Sequence, residues 1–124
     1  MNIVDASGWI EFFLAGNNGP KFKPVIENTR ELLVSSVNIY EVHRVLSRKL
    51  PVELRDMCLE VMRRAPVIEF NDERAIAASE LALKHGLAMA DAAMYAIALE
   101  HKAVLWTQDA DYQGLKGVKY LPRH

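Results

Sequence analysis

Hydrophobic positions along this chain follow two periods, and the switches between them mark its elements. Short apolar runs of strand length occur at Ile3-Val4, at 31–35, at 66–70 and at Val104-Leu105-Trp106, with a last short run at 118–121. Helical spacing fills the intervals. Residues 9–14 predict a first helix, with Ser7 placed to cap it. In 38–50, Ile39, Val42, Leu46 and Leu50 make one apolar face. Pro51 opens a further helix to about Arg64. Asn71 or Asp72 caps the next, which runs to His85 and stops at Gly86. An alanine-rich helix covers 89–101. The run Asn17-Asn18-Gly19-Pro20 breaks the first helix, and 15–30, the least patterned stretch, predicts a loop or a weak helix. Strands alternating with helices predict one α/β domain over 1–124, with a central parallel sheet and helices on both faces. Right-handed crossovers then bring every strand-to-helix turn to one sheet edge, where such sheets bind ligands.

Acids arrive at that edge from four parts of the chain. The run at 104–106 stops at Asp109 and Asp111. Asp5 follows the first strand, and since Ser7 is the expected cap, Asp5 has no evident structural duty. Glu41 falls in the first turn after the second strand. It has an equally good structural reading, because Asn38-Ile39-Tyr40-Glu41 has capping-box spacing and Arg44 stands three residues on. Asp91 shares a helix face with Met94, Tyr95 and Ala98, opposite Glu100; its alternative use is as a first-turn acid serving free N–H groups. Asp109 also suits an Asx-turn or cap, with Thr107 two residues before it to orient the carboxylate. Singly these signals are weak. Together Asp5, Glu41, Asp91 and Asp109 form a set whose repulsion calls for cations. All-oxygen ligands select hard ions such as Mg²⁺ or Mn²⁺, and the chemistry expected is metal-assisted phosphodiester hydrolysis.

Composition narrows the alternatives. The 124 residues are 51% hydrophobic and 25% charged, enough for a packed core and unlike a disordered chain. A net charge of −1 shows no global basic field for nucleic acid or membrane. Cys58 is the lone cysteine, so neither an internal disulfide nor a thiolate zinc cluster is expected, which suits a reducing cytoplasm. No signal-peptide pattern or membrane-length apolar run occurs. His43, His85, His101 and His124 are scattered without zinc-site spacing. Ser35 and Ser36 lack the glycines of a nucleophile elbow. The 16–20 stretch follows no strand and lacks a phosphate-loop lysine. Ser7 stands where a paired-aspartate phosphatase would carry its second acid.

Four ordered motifs carry a resemblance over nearly the whole chain: Ile3-Val4-Asp5-Ala6-Ser7; Ser35-Ser36-Val37-Asn38-Ile39-Tyr40-Glu41-Val42; His85-Gly86-Leu87-Ala88-Met89-Ala90-Asp91-Ala92; and Trp106-Thr107-Gln108-Asp109-Ala110-Asp111-Tyr112. The chain resembles PIN-domain proteins, and more narrowly the VapC-type toxins of VapBC toxin–antitoxin pairs. That resemblance implies a three-layer α/β/α sandwich and a Mg²⁺- or Mn²⁺-dependent ribonuclease. It implies metal-site roles for Asp5, Glu41, Asp91 and Asp109, supporting hydroxyls at Ser7 and Thr107, and an assisting acid at Asp111. It also implies a homodimer inhibited by a VapB-like antitoxin, in a complex that binds promoter DNA through the antitoxin. The chain departs from the family pattern at Tyr112, where Phe is common, and at Trp106, which is bulkier than usual.

Lys21 and Lys23 fall in the irregular stretch, and Arg44, Arg48 and Lys49 on the Glu41 helix. Arg44 and Arg48 are expected to hold substrate phosphates, since they flank the acids; a solvated face is the plainer use of such charges. Two other readings remain at this stage. One is a housekeeping PIN nuclease, separable by whether a small upstream frame encodes a DNA-binding antitoxin. The other is a non-catalytic interaction domain, separable by Mn²⁺ calorimetry.

Overall fold

The computed structural model describes residues 1–123; His124 lies outside the described residues. Five strands form one parallel sheet: β1 (Asn2–Val4), β2 (Leu32–Ser35), β3 (Val67–Ile68), β4 (Val104–Thr107) and β5 (Val118–Tyr120), in the order β3-β2-β1-β4-β5. Six α-helices surround it: α1 (Ala6–Phe13), α2 (Gly19–Glu27), α3 (Ser36–Lys49), α4 (Val52–Met62), α5 (Asp72–His85) and α6 (Met89–Glu100). The order reverses at β1, so the β1–β4 crevice is the topological switch point.

Strand alternation builds two cores. Ile3, Leu33 and Leu105 face one layer, where they meet α6 and, behind it, α5. Val4, Leu32, Val34 and Trp106 face the other, against Trp9, Phe22, Ile26, Val42, Leu46 and Met62 from α1 to α4. Burial on both faces explains why the strands read as unbroken apolar runs. Residues 92–98 of α6 are all buried, a helix closed in on every side. Its alanines make this possible, because small side chains let the sheet and α5 approach together. No helix among the described residues is long and apolar enough to cross a membrane.

Local differences from the sequence expectations have clear causes. The cap of α1 is Asp5, not Ser7: the Asp5 carboxylate accepts from the Gly8 N–H at 3.0 Å, so the helix starts at Ala6. The capping box of α3 is Ser35 with Asn38, not Asn38 with Glu41. Ser35 Oγ accepts from the Val37 N–H (3.0 Å), and the Ser35 N–H donates to Asn38 Oδ1 (3.2 Å). The helix therefore begins directly off β2, and Glu41 moves into its second turn with no capping duty. The weak stretch contains α2, with Pro20 in its first turn and Phe22, Val25 and Ile26 on one buried face. β3 pairs over two residues rather than five; just beyond it, the Phe70 N–H turns to Ser36 Oγ (3.1 Å). Asn71 caps α5, and Gly86 ends it with a φ of 68°.

Gly8 fixes how closely α1 lies on β1. A Cβ there would sit 2.6 Å from Val4 Cγ1 and 2.8 Å from Phe22 Cε1. Gly8→Ala is therefore expected to lower unfolding stability by about 1–3 kcal/mol, the usual cost of overpacking. Urea denaturation followed by circular dichroism checks this; wild-type stability in the variant would show that α1 can move off β1 freely.

Candidate active site

The site grows from the end of β1. The Asp5 backbone N–H continues the sheet by donating to the Trp106 carbonyl (3.1 Å). Its side chain, 4% exposed, turns into the switch-point crevice. Three groups fix it: Ser7 Oγ, which spans both oxygens at 2.7 and 2.9 Å, Thr107 Oγ1 at 2.7 Å, and the Gly8 N–H. Burial pushes the Asp5 carboxyl up to about 6 against the lowering effect of these donors. Ser7 and Thr107, the two hydroxyls singled out in the sequence, both donate to the Asp5 carboxylate. Thr107 also accepts from the Asp109 N–H at 2.9 Å, which couples the β1 and β4 acids through one hydroxyl.

Beyond β4, Asp109 caps the short 3₁₀ turn Ala110–Tyr112 by accepting from the Asp111 N–H (2.9 Å). Its structural and candidate chemical uses coexist. Asp91, half-buried in the first turn of α6, does not cap that helix. Instead the Tyr112 hydroxyl, in a fully buried ring, donates at 3.2 Å toward both Asp91 Oδ1 and the Asp91 carbonyl. Burial holds both the Tyr112 phenol and the Asp91 carboxyl above their ordinary pKa values. Carboxylate oxygens of Asp91, Asp109 and Asp111 lie within 4.8 Å of one another.

Asp5, Glu41, Asp91 and Asp109 all line one cavity of about 260 Å³. Asp5 and Glu41 border it without joining the close trio of Asp91, Asp109 and Asp111. The Glu41 carboxyl is pushed up to about 7 by burial and then by the charges of Asp91, Asp5 and Asp109; Arg44 opposes this. Arg44 lines the cavity, whereas Arg48, four residues on, lines a neighbouring groove with Tyr40 and His43. Trp106 directs its indole N–H to Asn2 Oδ1 (2.9 Å) and packs in the α1–α4 core.

Among the described residues the cavity lining holds no histidine or cysteine, and its donors are oxygens. That set fits a hard divalent cation: burial first, and neighbouring carboxylates after it, raise Glu41, Asp5 and Asp91, and a cation would favour their ionised forms. Sequence reasoning missed four participants. Tyr112 stood as a mere departure from a family Phe. Gln108, 3% exposed between Thr107 and Asp109, and Asn18, fully buried, are joined side chain to side chain at 3.0 Å across 90 residues. Arg123 lines the cavity from beyond β5. Only their proximity to the motif at 106–112, or a partner far along the chain, could have singled them out.

No curated protein sequence matches the chain. A toxin–antitoxin complex from Klebsiella pneumoniae shares its fold with a TM-score of 0.83 at 19% identity, over 100% of both chains. VapC20 from Mycobacterium tuberculosis, a sarcin–ricin loop cleaving toxin, gives 0.77 at 16% identity over 94% of this chain and 95% of that one. VapBC2 from Rickettsia felis, bound to a fragment of its promoter DNA, gives 0.72 at 15% identity over 98% and 97%. The family model for the PIN domain matches residues 3–118, a span that holds both cores and all the acids of the cavity, and the chain belongs to the PIN domain family.

Proposed function

We propose that this chain is a Mg²⁺- or Mn²⁺-dependent endoribonuclease, the toxin of a type II toxin–antitoxin pair. The observation that carries the reading is the convergence of Asp5, Glu41, Asp91 and Asp109 on one cavity at the switch point. Asp91, Asp109 and Asp111 would hold the ion, with Asp5 and Glu41 completing its surroundings. When bound, the ion supplies Lewis acidity at the phosphoryl oxygens and neutralises the acids. Ser7, Thr107 and the Gly8 N–H keep Asp5 in one orientation, and Tyr112 does the same for Asp91. Glu41, which lines the cavity beside the other acids, is assigned to take the proton from the attacking water. Water adds at phosphorus, the P–O bond to the leaving ribose oxygen breaks, and that oxygen is protonated from solvent. Arg44 supplies positive charge for the substrate backbone beside the acids.

The partners follow from the same reading. Structural relatives that are toxin–antitoxin complexes, one of them on promoter DNA, support a VapB-like antitoxin partner; the toxin reading further carries a homodimer in the cytoplasm whose complex binds promoter DNA through the antitoxin. An open groove of about 490 Å³ lined by Phe12, Phe13, Leu50, Leu54 and Met57 offers the apolar surface that a protein partner covers.

Asp5→Asn and Asp91→Asn are expected to lower RNA cleavage in Mn²⁺ by at least about 100-fold, and chelation of the wild type to do the same. The fold should survive, because Asn can replace Asp5 as the cap of α1 and Asp91 caps no helix. Cleavage assays beside circular dichroism check both points; undiminished cutting by either variant in chelator would overturn the reading.

Metal uptake should also depend on pH. The folded-state pKa values are raised, Asp5 from 3.8 to about 6 and Glu41 from 4.5 to about 7. The metal-free fold therefore binds more protons than the unfolded chain and loses stability as pH rises through that window. A cation competes with those protons, so Mn²⁺ affinity should rise about 10- to 100-fold between about pH 5.5 and 7.5 and then level off. Calorimetric titration at several pH values measures this, and an affinity flat across the range would contradict it.

A further inference from the structure

We propose that Arg123 grips the RNA backbone at this site, and that a buried amide clamp formed by Asn18 and Gln108 holds it there. The inference rests on the ribonuclease reading above and adds a substrate contact and a positioning device to it.

Asn18 is fully buried at the start of α2. Its Nδ2 donates in two directions at 3.0 Å, to Gln108 Oε1 and to the Pro122 carbonyl. Both amide hydrogens are spent on joining two distant segments, while Asn18 Oδ1 has no partner. The Asn18 backbone N–H is itself anchored by Glu11 Oε2 at 3.0 Å. Gln108 sits between Thr107, which holds Asp5, and Asp109, and its Nε2 reaches the Ser7 carbonyl at 3.5 Å. The Leu121 N–H donates to the Thr107 carbonyl at 2.7 Å. The segment after β5 is thus fastened at Leu121 and again at Pro122, and the next residue, Arg123, reaches the acidic cavity. Proline fixes its own φ, which limits how far Arg123 can swing away.

Arg123 shares a cavity with several carboxylates, yet it makes no ion pair with any described residue. An arginine in acidic surroundings that pairs with no acid keeps its donors for a ligand. Its planar fork matches two phosphate oxygens at once. A cavity of acids repels a polyanion, so guanidiniums at its rim are what admit the strand: Arg44 from α3 and Arg123 from beyond β5. A backbone contact of this kind positions the strand without reading its bases. Asn18 acts through Gln108 and Pro122 and is a positioning residue.

The test uses the full chain in Mn²⁺ and a labelled RNA that the wild type cuts, drawn from a random-sequence pool. Arg123→Ala is expected to raise KM about tenfold and to weaken its salt dependence by roughly one phosphate contact. It should leave kcat within about threefold and Mn²⁺ affinity unchanged, because positioning contacts act mainly on binding. Arg123→Lys should recover part of the loss, restoring charge but not the fork. Asn18→Asp, the same shape without the donor hydrogens, should raise KM likewise. Combined with Arg123→Ala it should do no more than the single change. Arg63→Ala, in a surface pair with Glu60, is the control. Unchanged KM and salt slope in Arg123→Ala, or a fall in kcat at constant KM, would overturn the proposal. If Asn18→Asp does not fold, the two Arg123 variants decide. A wild type that cuts no RNA in the pool overturns the ribonuclease reading and this inference with it; cutting indifferent to Arg123 overturns this inference alone.

Discussion

The burial of one carboxylate, Asp5, governs this structure. It ends the central strand, caps α1 through Gly8 and is bridged to β4 by Thr107. An acid so deeply buried resists ionisation, and three donors only partly offset that. Each donor depends on the fold around it. Gly8 presents its N–H because nothing larger than hydrogen fits between β1, α1 and Phe22. Thr107 is aimed by the parallel β1–β4 register, in which Val4 stands beside Trp106. The burial of this acid and the packing of α1 on the sheet are therefore one problem, solved by one set of residues.

Among the other acids, Glu41 joins this arrangement by electrostatics rather than by contact. Glu41 has no hydrogen-bonding partner that explains its raised pKa; burial and three neighbouring carboxylates do so. Its position follows from Ser35 and Asn38, which start α3 directly at the sheet edge. Had the capping box fallen three residues later, Glu41 would have been spent on the helix terminus. Asp91 is released in a similar way: α6 carries no side-chain cap, and the Tyr112 hydroxyl turns the carboxylate toward the cavity. The departure from Phe at 112 thus adds a donor that a phenyl ring lacks.

Much of this was legible in the sequence, because strand order and crossover handedness depend on local patterns that the chain states plainly. Val104-Leu105-Trp106 before Asp109, and Ile3-Val4 before Asp5, locate the crevice on their own. Capping was harder. Ser7, Asn38 and Asp5 are all good cap residues, and which one acts depends on where the strand releases the backbone, a tertiary matter. α2 was obscured for a different reason: Pro20, Pro24 and Gly19 hide a buried face of only three residues. The Asn18–Gln108 bond spans 90 residues and has no local signature at all.

A site of mutually repelling acids works against the fold that carries it. Ionising Asp5 alone costs the metal-free state on the order of 3 kcal/mol, a large part of the stability of a small domain. The two cores must therefore supply an excess that the site consumes, and the alanine-rich α6, buried from Ala92 to Ala98, is where that excess is most visible. On the proposed reading the balance reverses when a cation binds, because a ligand that prefers the folded state stabilises it by mass action. Stability and activity would rise together with metal, and the hydroxyls of Ser7, Thr107 and Tyr112 keep the acids oriented in the interval before it arrives.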